Sequence, residues 1–185
     1  TAEQLAREAC QIEIDILGKP IGRQDQYAAA FGGVNRLIFD PDDTTRRVGI
    51  PMDSAIKRRF ASSLLLYYTG LTRKAETILS HQMANMNTEE KRGELHAMAA
   101  LVKPFTRAME TGDIQTCAEL LDRNWQLKQR MASGISNPDI EKMYGRAKEA
   151  GALAGKICGA GGGGFLLLVA PRENQNRVFE AMRDY

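Results

Sequence analysis

The stretch KICGAGGGGFLLLVA, residues 156–170, places five glycines in a short loop directly before an apolar run. Because glycine has no Cβ, successive glycines can take positive φ and turn their N–H groups toward one concavity, where phosphate oxygens can approach the backbone. Glycine runs also occur in flexible linkers, but an apolar run directly after the glycines is typical of a buried strand. The stretch therefore predicts a structured, phosphate-binding loop between two strands.

The composition is that of a globular protein, with 185 residues, 43% of them hydrophobic, and a net charge of +2. Acids and bases are interspersed, which argues against binding to a nucleic-acid backbone. Cys10, Cys117 and Cys158 form no CxxC pair, so neither a disulfide framework nor a zinc site is predicted. No apolar run approaches the roughly 20 residues of a membrane span, and acids occur where a signal peptide would be apolar. We expect a cytoplasmic protein without nucleic-acid or membrane partners.

Two kinds of periodicity organise the first third of the chain. A helical stripe of Leu5, Ala9, Ile12 and Ile16 predicts an amphipathic helix of about 15 residues that buries this stripe. Residues 34–39 and 47–50 suit two short strands, and the acidic, proline-containing turn between them favours a hairpin.

The remaining residues predict an α+β arrangement, with helices packed over a small antiparallel sheet. Residues 62–68 read as a strand, and a domain boundary is placed near Arg58. A helix over residues 89–110 is expected to bend at Pro104, because proline disrupts a helix interior. Asp113 is expected to cap the next helix, and Asn137 with Pro138 to begin another. Residues 178–182 indicate a last helix.

Asp25 is the carboxylate most suited to chemistry. The segment GRQDQ, residues 22–26, places it beside a cation and an amide. An aspartate near an arginine stays ionised, so it can accept a proton or orient a hydroxyl group. The alternative is that Asp25 caps a helix beginning at Gln26.

A second candidate anion site lies at residues 69–73, TGLTR, which follow a strand and precede a helix. Free N–H groups at a helix start attract an anion, and Arg73 could bind it through two hydrogen bonds. The alternative is an ordinary capped helix with a solvated arginine.

Taken together, three segments resemble the GHMP kinases. The loop at Gly159 to Phe165, preceded by Lys156, is similar to the third motif of that superfamily, and the GxxDQ segment at residues 22–26 is similar to the stretch that carries its catalytic aspartate. PIGRQDQYAAAFGGVN, YYTGLTRKA and SGISNPDIEKMYGRAKEAGALAGK most resemble the bacterial heptose kinases. The resemblance covers essentially the whole chain. It implies the end of a ribosomal-S5-domain-2-like nucleotide-binding domain at residues 1–57 and a ferredoxin-like C-terminal domain at residues 58–185.

The resemblance also implies an activity, which is ATP- and Mg²⁺-dependent phosphorylation of the anomeric hydroxyl of D-glycero-D-manno-heptose 7-phosphate. Asp25 and Arg23 would be catalytic, and Gly22, Gln26, Thr72 and Arg73 would contact the substrate. The ATP phosphates would be bound by Gly159, Ala160, Gly161, Gly162, Gly163 and Gly164. The superfamily's first two motifs are not found in this sequence, so we expect an internal fragment that lacks the magnesium ligands.

Two other functions remain open at this stage. A kinase of a neutral sugar, such as fucose or galactose, would differ only in the substrate pocket, because a 7-phosphate requires an extra basic contact. A non-catalytic interaction module would keep the glycine loop only for structure, but it has little reason to keep the GRQDQ context of Asp25. Oligomeric state, including a homodimer, also stays open.

Overall fold

The computed structural model describes residues 1–72 and 75–185, except for the side chains of residues 75 and 76. These residues pack as two compact units, Thr1–Pro51 and Met52–Tyr185. The division falls ahead of the boundary expected near Arg58, because helix α3 (Ser54–Ser62) packs against β3 (Leu64–Tyr68) and α6 (Val102–Thr111) of the second unit. The assignment of residues 1–57 and 58–185 to two kinase domains remains a prediction. None of the described helices has both the length and the apolar character needed to cross a membrane.

The first unit contains two packed helices and a hairpin. α1 (Ala2–Cys10) continues as a π-helical segment (Gln11–Ile16), and α2 (Gln24–Phe31) packs against α1. β1 (Asn35–Phe39) pairs antiparallel with β2 (Thr45–Gly49). The predicted first helix and the predicted hairpin are both confirmed.

The buried face of the first helix differs from the prediction. Leu5, Ile12 and Ile16 are 61%, 52% and 69% exposed, whereas Ala6 and Cys10 are buried against Tyr27 of α2. Small residues let two helices approach closely, and the distance between packed helices depends on the side chains at the contact. The π-helical segment also changes the number of residues per turn, so a stripe drawn with α-helical spacing does not stay on one face.

The second unit is built on a three-stranded antiparallel sheet in the order β3, β5 (Phe165–Val169), β4 (Ala154–Ile157). Its other helices, in chain order, are α4 (Ala75–Asn85), α5 (Glu89–Ala100), α7 (Ile114–Gln129), α8 (Pro138–Glu149) and α9 (Gln175–Ala181), with a 3₁₀ turn at Arg172–Asn174. The core between sheet and helices includes the fully buried Trp125, Ile140, Ile157, Leu166 and Leu168. The predicted α+β architecture is confirmed.

Helix ends follow the capping signals, with one correction. Asp113 accepts a hydrogen bond from the Thr116 N–H, and Asn137 accepts one from the Ile140 N–H ahead of Pro138 at the helix start. The single bent helix expected over residues 89–110 is instead two helices, α5 and α6, that meet at Leu101. Pro104 lies in the first turn of α6, where an N–H has no partner within the helix, so proline is tolerated there without a bend.

Candidate functional site

The glycine loop is the connection between β4 and β5. Ile157 pairs with Leu166 across the two strands, and the Cys158 N–H donates to the Phe165 carbonyl at 2.8 Å, which closes the base of the loop. Gly159, Gly161, Gly162 and Gly164 all have positive φ, between +75° and +106°. The predicted order of strand, glycine loop and strand is therefore confirmed, and the loop adopts a backbone conformation that other residues rarely accept.

Two neighbouring segments hold this loop closely. A Cβ atom at Gly161 would lie 2.7 Å from the Ile135 carbonyl oxygen, and one at Gly163 would lie 2.4 Å from the Leu71 carbonyl oxygen. The same two carbonyls accept hydrogen bonds from the loop, at 2.8 Å from the Gly162 N–H and at 2.9 Å from the Gly164 N–H. The absence of side chains thus lets the loop lie directly against the backbone of Ile135 and Leu71.

These contacts divide the six loop amides into two groups. The N–H groups of Gly162 and Gly164 are used within the protein, so the expectation that all six amides support a phosphate needs correction. The N–H groups of Gly159, Ala160, Gly161 and Gly163 have no acceptor among the described residues. Successive backbone N–H groups in such a turn form a concavity suited to an anion. Their donor chemistry fits the phosphate oxygens of a nucleotide.

The segment Thr69–Thr72 lies against the end of the glycine loop. The Thr69 N–H and hydroxyl group both donate to the Gly164 carbonyl, at 2.8 and 3.0 Å, and the Thr69 hydroxyl accepts from the Leu71 N–H at 3.3 Å. The exposed Thr72 follows directly. The structure therefore brings together two segments that the sequence presents as separate candidates. Arg73 lies outside the described residues.

Two further side chains contact the loop, and the sequence did not reveal either contact. The Lys128 ammonium group, in the last turn of α7, donates to the Gly159 carbonyl oxygen. The Asn137 side-chain amide donates to the Gly162 carbonyl at 3.4 Å, while its oxygen caps α8. The sequence identified Asn137 only as the start of a helix. No local pattern connects Lys128 to Gly159, which lies 31 residues further along the chain.

In the first unit, Asp25 is the second residue of α2 and is exposed. The alternative in which Asp25 caps the helix is wrong, because α2 begins at Gln24 with Arg23 in the cap position. The sequence suggested that Arg23 lies beside Asp25. In the structure Arg23 instead donates to the Asp43 carbonyl and carboxylate, at 2.7 and 2.5 Å. The Asp25 carboxylate has no hydrogen bond or ion pair within the described part of the chain. Its place in the first turn of a helix favours a negative charge there.

Gly22 and Gln26 flank these residues in different environments. Gly22 is exposed, whereas Gln26 is buried and donates through its side-chain amide to the Glu13 carboxylate at 2.7 Å. The Gln26 side-chain oxygen is buried without a donor among the described residues. Nearby, Arg23, Tyr27 and Asp43 help to line a cleft of about 910 Å³ in this unit. Burial, more than any other effect, raises the pKa of the Tyr27 hydroxyl above its usual value, so Tyr27 is a hydrogen-bonding group rather than a base.

The cysteines and acidic residues do not assemble a metal centre in the ranges 1–72 and 75–185, where no group of three or more His, Cys, Asp or Glu is placed to hold an ion. All three cysteines are free, and burial raises the pKa of the Cys117 thiol to about 11, which makes it unreactive at neutral pH.

Comparison with known proteins finds similarity to several kinases. Residues 98–185 match the family described as GHMP kinases C terminal. The chain is 33% identical, over 97% of its length, to D-glycero-alpha-D-manno-heptose 7-phosphate kinase of Campylobacter jejuni, and covers 53% of that protein. It is 29% identical, over 80% of its length, to L-fucokinase/L-fucose-1-P guanylyltransferase of Bacteroides fragilis, and covers 16% of that protein.

A solved structure, that of a D-glycero-D-manno-heptose 1-phosphate kinase from Bacteroides thetaiotaomicron, matches the whole chain with a TM-score of 0.66 and 26% identity. The chain covers 50% of that structure. It thus spans about half the length of the heptose kinases that it matches.

Proposed function

We propose that the chain, whose residues 98–185 match the family described as GHMP kinases C terminal, forms part of an ATP-dependent sugar kinase. The proposed reaction transfers the γ-phosphoryl group of ATP to the anomeric hydroxyl of D-glycero-D-manno-heptose 7-phosphate. Support for this substrate comes from the Campylobacter jejuni relative, which is named as a heptose 7-phosphate kinase and matches 97% of the chain.

The observation that carries the proposal is the set of four loop amides that have no acceptor among the described residues. Gly159, Ala160, Gly161 and Gly163 would donate to phosphate oxygens, and preorganised N–H donors are most effective where negative charge develops during phosphoryl transfer. Gly162 and Gly164 would act indirectly, because their own N–H groups hold the loop against Ile135 and Leu71.

Asp25 is proposed to orient the anomeric hydroxyl of the sugar and to accept its proton. An exposed carboxylate in the first turn of a helix is accessible to a substrate, and a positioned general base typically accelerates a reaction about 10²- to 10⁴-fold. Arg23 would offset the negative charge, with its guanidinium oriented by Asp43. Gly22 and Gln26 would contact the sugar.

Recognition of the 7-phosphate is proposed for Thr72 and Arg73. Thr72 is exposed beside the glycine loop, and an arginine next to it would supply the basic contact that a phosphorylated sugar requires. ATP supplies the phosphoryl group, and Mg²⁺ is expected to accompany it as in other phosphoryl transfers. We propose that the protein acts in the cytoplasm.

A kinase of a neutral sugar is the second candidate. The observation that favours it is the 29% identity to the Bacteroides fragilis protein, which is named as an L-fucokinase. The two candidates differ in the dependence on Arg73. Arg73→Ala should impair phosphorylation of heptose 7-phosphate much more than phosphorylation of fucose or galactose, because only the former carries the charged group.

The testing experiment is a coupled ADP-release assay on the full-length product of the gene that encodes this sequence. The acceptors are heptose 7-phosphate, fucose and galactose, and the variant is Asp25→Asn. Asp139→Asn is a matched control, since Asp139 is also the exposed second residue of a helix. We expect turnover of heptose 7-phosphate that falls at least about 100-fold in Asp25→Asn, as expected for a lost general base, and that is unchanged in Asp139→Asn.

Other outcomes redirect the assignment. Turnover of fucose or galactose in preference to heptose 7-phosphate would support the neutral-sugar kinase. Full activity in Asp25→Asn would remove Asp25 from the mechanism. No turnover of any acceptor, with the fold intact, would favour a non-catalytic interaction module.

A further inference from the structure

Two carbonyl groups of the glycine loop accept hydrogen bonds from side chains, while four of its backbone N–H groups have no acceptor among the described residues. Lys128 donates to the Gly159 carbonyl, and the Asn137 side-chain amide donates to the Gly162 carbonyl. Within a trans peptide unit, the C=O of one residue and the N–H of the next lie in one plane and point in opposite directions. The described residues contain no cis peptide bond. Each side chain therefore binds the carbonyl of a peptide unit whose N–H points away from that side chain.

The two N–H groups selected in this way are those of Ala160 and Gly163. Both belong to the four loop amides that have no acceptor among the described residues. A donor on the carbonyl side aims the N–H away from the protein contact, toward the side where an anion would bind. The same arrangement, with a side-chain donor on the carbonyl and no acceptor for the N–H among the described residues, occurs at two separate peptide units of the loop.

We propose that Lys128 and Asn137 are positioning residues that aim the Ala160 and Gly163 amides at a phosphate group. The proposal rests on the proposed function, because it assigns the phosphate as the acceptor of those amides. Lys128 also brings a positive charge to the loop, which adds attraction for an anion. Asn137 is suited to the role because its oxygen is already occupied by the Ile140 N–H, so its amide group points in one direction only.

The first test measures the direction of the N–H bonds without any ligand. Residual dipolar couplings of the ¹⁵N-labelled 185-residue chain report the orientation of each amide. The variants are Lys128→Met, which keeps the aliphatic stem, and Asn137→Ser, which keeps a capping oxygen for α8 but removes the amide donor. Lys128→Arg is the rescue variant. Lys57→Met is the matched control. Lys57 is exposed on α3. Arg59 of the same helix contacts Gly112, just ahead of the N-terminal end of α7, whereas Lys128 lies at the C-terminal end of α7.

We expect Lys128→Met to change the coupling of Ala160 but not that of Gly163, and Asn137→Ser to do the reverse. Lys128→Arg should restore the Ala160 coupling, and Lys57→Met should change neither. Unchanged couplings in both variants would overturn the proposal. Simultaneous changes of both amides and of core residues such as Leu168 would also overturn it, because they would show general loosening rather than local aim.

The second test titrates the same proteins with inorganic pyrophosphate and follows the loop amides by NMR. We expect the wild-type loop amides to shift, with affinity reduced about three- to tenfold in each variant, the worth of about one hydrogen bond. Equal affinity in wild type and both variants would overturn the positioning role. If the wild-type loop does not respond to pyrophosphate while the couplings change as expected, the aiming geometry stands and the proposed phosphate role of the loop fails.

Discussion

Replacing Gly163 with alanine tests how closely the glycine loop is held. A Cβ at this position would lie 2.4 Å from the carbonyl oxygen and 2.9 Å from the carbonyl carbon of Leu71. Both are backbone atoms, so no side-chain rotation can relieve the contact. The loop must move away from Leu71, and the hydrogen bond from the Gly164 N–H to the Leu71 carbonyl, now 2.9 Å long, is lost with it.

The magnitude follows from these two effects. Overpacking at a close contact costs about 1–3 kcal/mol, and a lost hydrogen bond costs about 0.5–1.5 kcal/mol. We expect Gly163→Ala to lower the free energy of unfolding by about 1.5–4.5 kcal/mol, the combined cost of these two effects. Gly159→Ala should cost less, about 1–2 kcal/mol, because its positive φ is strained for alanine but the space around it is open.

The control variant, Gly145→Ala, should raise the free energy of unfolding instead of lowering it. Gly145 lies within α8, and a Cβ there would have nothing within 4 Å beyond the helix itself. Alanine loses less backbone entropy than glycine in a helix, so Gly145→Ala should stabilise the protein by about 0.5–1 kcal/mol.

The assay is urea unfolding followed by the fluorescence of Trp125. This is the only tryptophan of the chain, and it is 1% exposed in the core of the second unit, so its signal reports on that unit. From the most to the least stable protein, we expect the order Gly145→Ala, wild type, Gly159→Ala, Gly163→Ala. A Gly163→Ala midpoint equal to that of wild type, or above that of Gly159→Ala, would refute the close contact with Leu71.

Two further predictions use the same fluorescence signal. Leu168→Ala should lower the free energy of unfolding by about 2–5 kcal/mol, because Leu168 is fully buried between sheet and helices, and an equally stable variant would contradict that packing. Hydrogen bonds from the Thr116 N–H and hydroxyl lower the pKa of the Asp113 carboxyl below its usual 3.8. The ionised carboxylate therefore stabilises the fold above pH 3.8. This contribution to the free energy of unfolding is lost as the pH falls through the lower, folded-state pKa. Asp113→Asn keeps a capping side chain but cannot titrate, so its unfolding midpoint should fall less on acidification than that of wild type; identical acid profiles would contradict the role of Asp113.

Local signals in the sequence were reliable wherever the structure depends on neighbours along the chain. The β1–β2 hairpin, the caps at Asp113 and Asn137 and the strands on either side of the glycine loop were all predicted and are confirmed. Each depends on turn chemistry, on a side chain bonding within three residues or on an apolar run, and these forces act within a few residues.

Predictions that required a partner from elsewhere were less successful. The apolar stripe of Leu5, Ile12 and Ile16 suggested a buried face, but α2 packs against the smaller Ala6 and Cys10. Arg23 was expected beside Asp25, yet its guanidinium pairs with Asp43, twenty positions away. A helical pattern identifies a helix, but it does not state which neighbour will cover which face.

The sequence by itself determined that the chain is an α+β protein with a structured glycine loop, since glycine content and apolar periodicity act through local backbone sterics and burial. It also determined the resemblance to the GHMP kinases. Only the tertiary structure decided which loop amides remain available to a ligand, because the carbonyls of Leu71 and Ile135 occupy two of them. It likewise decided that Lys128 reaches a carbonyl 31 residues away. Such contacts depend on how helices pack against the sheet, and no spacing along the chain encodes the direction of a single N–H bond.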